Sequence, residues 1–191
     1  MVKKILPVVL QLWLVINTNA DAGGIYNPTG FSNFWESSES PITTRLKNET
    51  QPARIQGIIL TYLRSNPSGF LAIIPSVKDT QTWEAAGAFS RTILELSEEF
   101  SVDLQQAEMQ LIKNAPKELT GAVVAAMLQS SKNQESTALI ILIHTNNRID
   151  ALNEMVHNIS WPELRLYIEK ARSLLSGEEK KTYEAEILAW H

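Results

Sequence analysis

The 191-residue sequence contains no cysteine. Disulfides, thiolate nucleophiles and zinc–thiolate sites are therefore excluded. Positive charge is also short, with 17 Lys plus Arg against 21 Asp plus Glu and a formal net charge of -4. A phosphate-binding surface needs the opposite balance, so nucleic acid is not the expected partner. The sequence has no glycine-rich dinucleotide fingerprint, no phosphate loop, no Gly-x-Ser-x-Gly elbow and no His-Glu-x-x-His. A three-histidine metal site would have to recruit all of His144, His157 and the terminal His191. No cofactor is expected.

Long apolar runs are missing too, apart from one at the start. Lys3 and Lys4 precede a nearly continuous apolar stretch from Ile5 to Ile16, followed by polar and small residues to Ala22. That order is the pattern of a secretory signal peptide. Ala20-Asp21-Ala22 suits cleavage before Gly23, and Thr18-Asn19-Ala20 is a competing site. At about twelve residues the stretch is short for a bilayer, which takes ~20. The expectation is a signal peptide over residues 1–22 and a mature chain without a stable membrane span. Removing Lys3, Lys4 and Asp21 leaves 15 positive and 20 negative side chains, a net charge of -5. Export without cysteine points to a periplasm or to secretion by a bacterium, because small eukaryotic extracellular domains usually carry disulfides.

Residues 23–41 read as an irregular arm. Asn27-Pro28 and Thr29-Gly30 are turn signals, and Tyr26, Phe31, Phe34 and Trp35 stand between them without a helical period. Aromatics anchor interfaces by burying a large area with few rotors. These four are the expected partner-binding residues, unless they only fasten the arm to the body.

From residue 42 to 191 the pattern is that of a single all-α domain. Ile55, Ile58, Ile59, Tyr62 and Leu63 share a face after Pro52, which suits a first helical turn. Trp83, Ala86, Phe89, Ile93, Leu96 and Phe100 step by three or four. Ser101 is placed to cap the next helix. Capping boxes begin at Ser131, Ser160 and Ser176, and Asn146-Asn147 can split the run between the first two. Phe70 to Ile74 reads as a buried connector or short helix. About seven helices with short links are predicted, as an orthogonal bundle or a short stack of helical hairpins. No residue repeat marks the stack. Trp83, Trp161 and Trp190 fall on apolar faces and are expected in the core.

Asp150, Glu154 and His157 share one helix face and are the weak candidates for a metal site. A di-iron bundle would need the Glu-x-x-His pair twice, and it occurs once here. A solvated acidic face with a histidine near a helix C-terminus explains them without a metal. Glu36, Glu39, Glu49 and Asp79 lie near turns, where a hydrolase could set a carboxylate pair. The expected function is an exported, non-catalytic interaction protein: an adaptor, an envelope-complex subunit or an inhibitor. Its partner is another protein, of basic character if charge guides the encounter. The alternatives are an envelope hydrolase with paired carboxylates and a carrier of a small apolar ligand between helices.

Overall fold

Proline at a first helical turn loses nothing, because that amide has no partner within the helix. Pro52 uses this position in a computed structural model that describes residues 42–190. Ten α-helices are present among the described residues. They are α1 Ile42–Lys47, α2 Pro52–Ser65, α3 Phe70–Ile73, α4 Trp83–Ser97 and α5 Leu104–Asn114. Then come α6 Thr120–Ser130, α7 Gln134–His144, α8 Arg148–Asn158, α9 Trp161–Leu174 and α10 Gly177–Trp190. Short 3-10 turns at Pro67–Gly69, Ile74–Asp79 and Lys117–Leu119 link them. The chain is all-helical, with no strand among the described residues.

The expectation of seven helices was too low for three local reasons. α1 and α3 are each under two turns long and carry too few residues to show a period. The third reason is Thr145-Asn146-Asn147, which ends α7 and starts α8 separately. Thr145 Oγ1 accepts the Asn147 amide at 3.1 Å. The side-chain amides of Asn146 and Asn147 donate to the carbonyls of Lys113 and Lys117 at 2.8 and 2.9 Å. Asparagine here satisfies backbone groups of another segment, which a continuous helix could not do.

Helix starts differ from the expected caps. Asp103, not Ser101, caps α5 by accepting the Gln105 amide at 2.9 Å. Ser101 instead closes α4, with φ at 54° and the Val102 amide reaching back to Ser97 O at 2.8 Å. That is the left-handed helix ending that glycine usually supplies. Asn133 caps α7 through the Ser136 amide, and Ser131 accepts the amide of Asn133. Ser160 precedes α9, but its hydroxyl goes to the Glu163 carboxylate and not to a backbone amide. α10 opens on Gly177 at φ 57°.

The helices pack in an alternating order. α4 lies against α2 and α6, α6 against α8, and α8 against α10. On the other side α5 lies against the Ile74–Asp79 turn and α7, and α7 against α9. Each helix from α4 onward also touches its neighbour in sequence. Small residues permit the close approach: Ala85, Ala86 and Ala88 on α4 and Ala122 and Ala126 on α6 are buried. α6 is apolar nearly all round because it has neighbours on several sides. Phe89, Ile93, Leu111, Val123, Met127, Ile141, Leu152 and Leu164 run as one core through this series. Each such side chain contributes about 1.5–3 kcal/mol of burial. The series ends at α10, where Tyr183 is buried and Leu188 is 79% exposed. Among the described residues no helix is long and apolar enough to cross a membrane.

Candidate functional site

Trp83 is the first residue of α4, one turn ahead of the buried Ala86 and two ahead of Phe89. Its period puts it on the core face, yet it is 45% exposed. The reason is its place at the end of the helix, where its ring reaches across to the start of α6. A Cβ on Gly121 would sit 2.7 Å from Trp83 Cη2 and 2.8 Å from Cζ3. Only a hydrogen at that position leaves room for the ring. The same point is 3.7 Å from Glu154 Oε2 on α8. Three helices therefore meet at one spot: α4 brings the ring, α6 the space and α8 a carboxylate.

A cleft of about 280 Å³ opens there. Asp150, Asn153, Glu154 and His157 line it from α8, with Lys117 and Glu118 from the turn before α6. Asn147 donates its side-chain amide to Asp150 Oδ2 and to Lys117 O, which pins the turn to α8. Asn158 donates to Glu154 Oε1 at 2.9 Å. Both carboxylates are thus oriented by neutral amides, which keep their charge in place. Three carboxylates, Glu118, Asp150 and Glu154, face one ammonium, that of Lys117.

Asp150, Glu154 and His157 do share this cleft, as their spacing implied. Yet among the described residues no three His, Asp or Glu side chains are grouped to hold a metal ion. Trp161 also departs from the expected core, whereas Trp190 is partly buried and packs against it. Trp161 is 46% exposed, and its ring centroid lies 5.8 Å from that of Trp190. Trp190 donates Nε1–H to Asn153 Oδ1 at 2.9 Å. Trp161 starts α9, so end position again overrides the period there. Asn153, which accepts from Trp190, also lines the Trp83 cleft. Tyr26, Phe31, Phe34 and Trp35 lie outside the described residues, as do Glu36 and Glu39.

The remaining candidate acids hold local structure. Glu49 Oε1 accepts the amides of Thr50 and Gln51 at 3.0 and 2.8 Å ahead of α2. Asp79 Oδ1 lies 3.6 Å from Lys47 Nζ, and its buried Oδ2 has no hydrogen bond among the described residues.

Two buried charges gave no sequence signal. Glu108 on α5 is 2% exposed and accepts the Thr137 hydroxyl at 2.7 Å. Burial pushes its carboxyl above the usual glutamate value, against the pull of that hydrogen bond. Arg148 on α8 is 8% exposed. Its Nε donates to Leu142 O at 2.7 Å, its Nη1 pairs with Glu186, and its guanidinium lies 4.8 Å from the Tyr183 ring centroid. Burial pushes the Tyr183 hydroxyl up to about 12, and that hydroxyl donates to Ile168 O at 3.0 Å. This knot ties α7, α8, α9 and α10 together. His144 faces a neighbouring cleft with Glu178 and Glu179, and burial lowers its pKa ahead of the effect of Lys113. A roomier cleft of about 530 Å³ has Leu94, Val102 and Leu104 inside, with Arg91, Glu95, Glu98 and Lys132 around them. Lys132 and Glu98 pair across it at 2.8 Å. No protein-family model, curated protein or solved structure matches the chain.

Proposed function

We propose that this chain is an exported, non-catalytic interaction protein whose helical domain is a short stack of helical hairpins. The alternating contacts of α4 to α10 support the stack, since each helix touches both its sequence neighbour and the next but one. Stacks of this kind give an extended surface on which a partner can lie. The apolar stretch and small residues of positions 1–22 support export. The partner is a protein, and the acidic balance of the chain favours a basic one.

The observation that carries this reading is Trp83, half exposed over Gly121 and beside the Glu154 carboxylate. A large ring held open to solvent at a helix junction has the properties of an interface anchor.

The test compares the wild-type chain with Trp83→Ala in the native host, after cross-linking in the exported fraction. The variant is expected to keep its helical circular dichroism and to lose a partner that the wild type retains. Equal recovery of the same partner by both chains would contradict the reading. Export is checked by intact mass, where a chain beginning at Gly23 or Asp21 is expected and a chain beginning at Met1 would contradict it.

A further inference from the structure

We infer that the Trp83 cleft receives one lysine or arginine side chain, presented by an extended basic segment of the partner protein. This deepens the interaction reading above and rests on it.

Three observations support the inference. The first is the ring. Lodged against Gly121 at its far edge, Trp83 still keeps nearly half its surface in solvent. A cation within ~6 Å of an indole face is attracted by the ring quadrupole, and indole is the best of the aromatic side chains for this. The second is the state of the acids. Elsewhere on this surface Glu98, Glu135, Glu178 and Glu184 are met by Lys132, Lys170, Lys181 and Arg172, while single acids such as Glu84 and Glu99 form no ion pair among the described residues. Among the described residues, Glu118, Asp150 and Glu154 at the cleft form no ion pair. The asparagines hold Asp150 and Glu154 in position without cancelling their charge. The third is size. About 280 Å³ lies below the ~300–1,000 Å³ that drug-sized ligands occupy, and it suits one long side chain better than a helix. Lys117 also faces the cleft and weakens its negative field. The cleft is therefore sized and charged for one cationic side chain at a time.

The experiment uses the full chain labelled with ¹⁵N, and follows the Trp83 indole N–H resonance, assigned with Trp83→Phe. The probes are eight-residue alternating peptides: Gly-Lys, Gly-Arg, Gly-Glu and Gly-Gln. The Gly-Lys and Gly-Arg peptides are expected to move the resonance saturably, and the Gly-Glu and Gly-Gln peptides are not. Glu154→Gln should weaken binding about 5-fold, and Asp150→Asn with Glu154→Gln about 10-fold or more. Glu95→Gln, outside the cleft, should change it by less than about 2-fold. If Asp150→Asn loosens the turn before α6, the single Glu154→Gln variant still carries the test. Equal response to Gly-Gln and Gly-Lys overturns the inference, because the cleft then takes any peptide by apolar contact. Unchanged binding in the doubly neutral variant overturns it as well. A partner lost by Trp83→Ala, together with no response to Gly-Lys or Gly-Arg, overturns the cation assignment and leaves the interaction reading intact. A partner retained by Trp83→Ala, with the peptide response as expected, does the reverse.

Discussion

The two flanks of α8 handle polar groups in opposite ways. On the side of α10, Arg148 is buried and tied to a carbonyl of α7, a carboxylate of α10 and the face of Tyr183. On the side of α6, Asp150 and Glu154 are oriented only by neutral amides and look onto an exposed tryptophan. Both arrangements use charged residues of one eleven-residue helix. The contrast teaches that charge alone does not mark a site. A charge whose partners come from the same molecule holds the fold together, and a charge left without a cationic partner is available to another molecule.

The largest expected effect comes from breaking the closed flank. Arg148→Met should cost about 3 kcal/mol or more in urea unfolding, because Glu186 loses its partner and Leu142 O loses its donor. A loss under about 1 kcal/mol would mean that the knot is not a stabilising tie.

A second buried charge sharpens the comparison through pH. The Glu108 carboxyl is raised in the folded state by burial. The folded protein therefore binds its proton more tightly than the unfolded chain does. Ionised Glu108 therefore destabilises the fold above its raised value, and that penalty disappears as pH falls toward the ordinary value of 4.5. Glu108→Gln is thus expected to be at least as stable as wild type at pH 7, with the difference shrinking on acidification. Denaturant midpoints of both chains between pH 4 and pH 8 check it. A gap that widens toward acid would be inconsistent with burial as the dominant cause.

The smallest effect on stability belongs to the open flank. Gly121→Ala brings a methyl group to 2.7 Å from Trp83 Cη2, so the ring has to swing outward. Alanine is about 1 kcal/mol better than glycine in a helix, which offsets much of the strain. Stability should change by less than about 1 kcal/mol, while acrylamide quenching of tryptophan fluorescence should rise. In the Trp83→Ala background the same substitution should stabilise, since nothing then opposes the methyl group.

Much of the fold was legible in residue spacing. Pro52 marks the start of α2, the run from Ala86 to Leu96 marks α4, and Asn146-Asn147 marks the break between α7 and α8. Serine caps were less informative, because Asn133 and Asp103 stood closer to the first turn than Ser131 and Ser101 and took the amides. Period also says which face a residue occupies but not how far the neighbouring helix extends. That is why Trp83 and Trp161 were expected in the core: each sits at a helix start, where the face runs past its cover. The shared face of Asp150, Glu154 and His157 was readable from their spacing, but Trp83 and Gly121 come to it from helices distant in sequence. Arg148 was unreadable for the same reason, since Tyr183 and Glu186 belong to α10.

The central claim is that the Trp83 side of α8 is where another protein docks. Amide hydrogen exchange of the chain, alone and with its captured partner, tests it most directly. The account predicts slowed exchange at residues 117–121 and at the start of α4, with the Arg148 knot unchanged. Protection confined to α9 and α10, with the segment around Gly121 exchanging as freely as before, would contradict it.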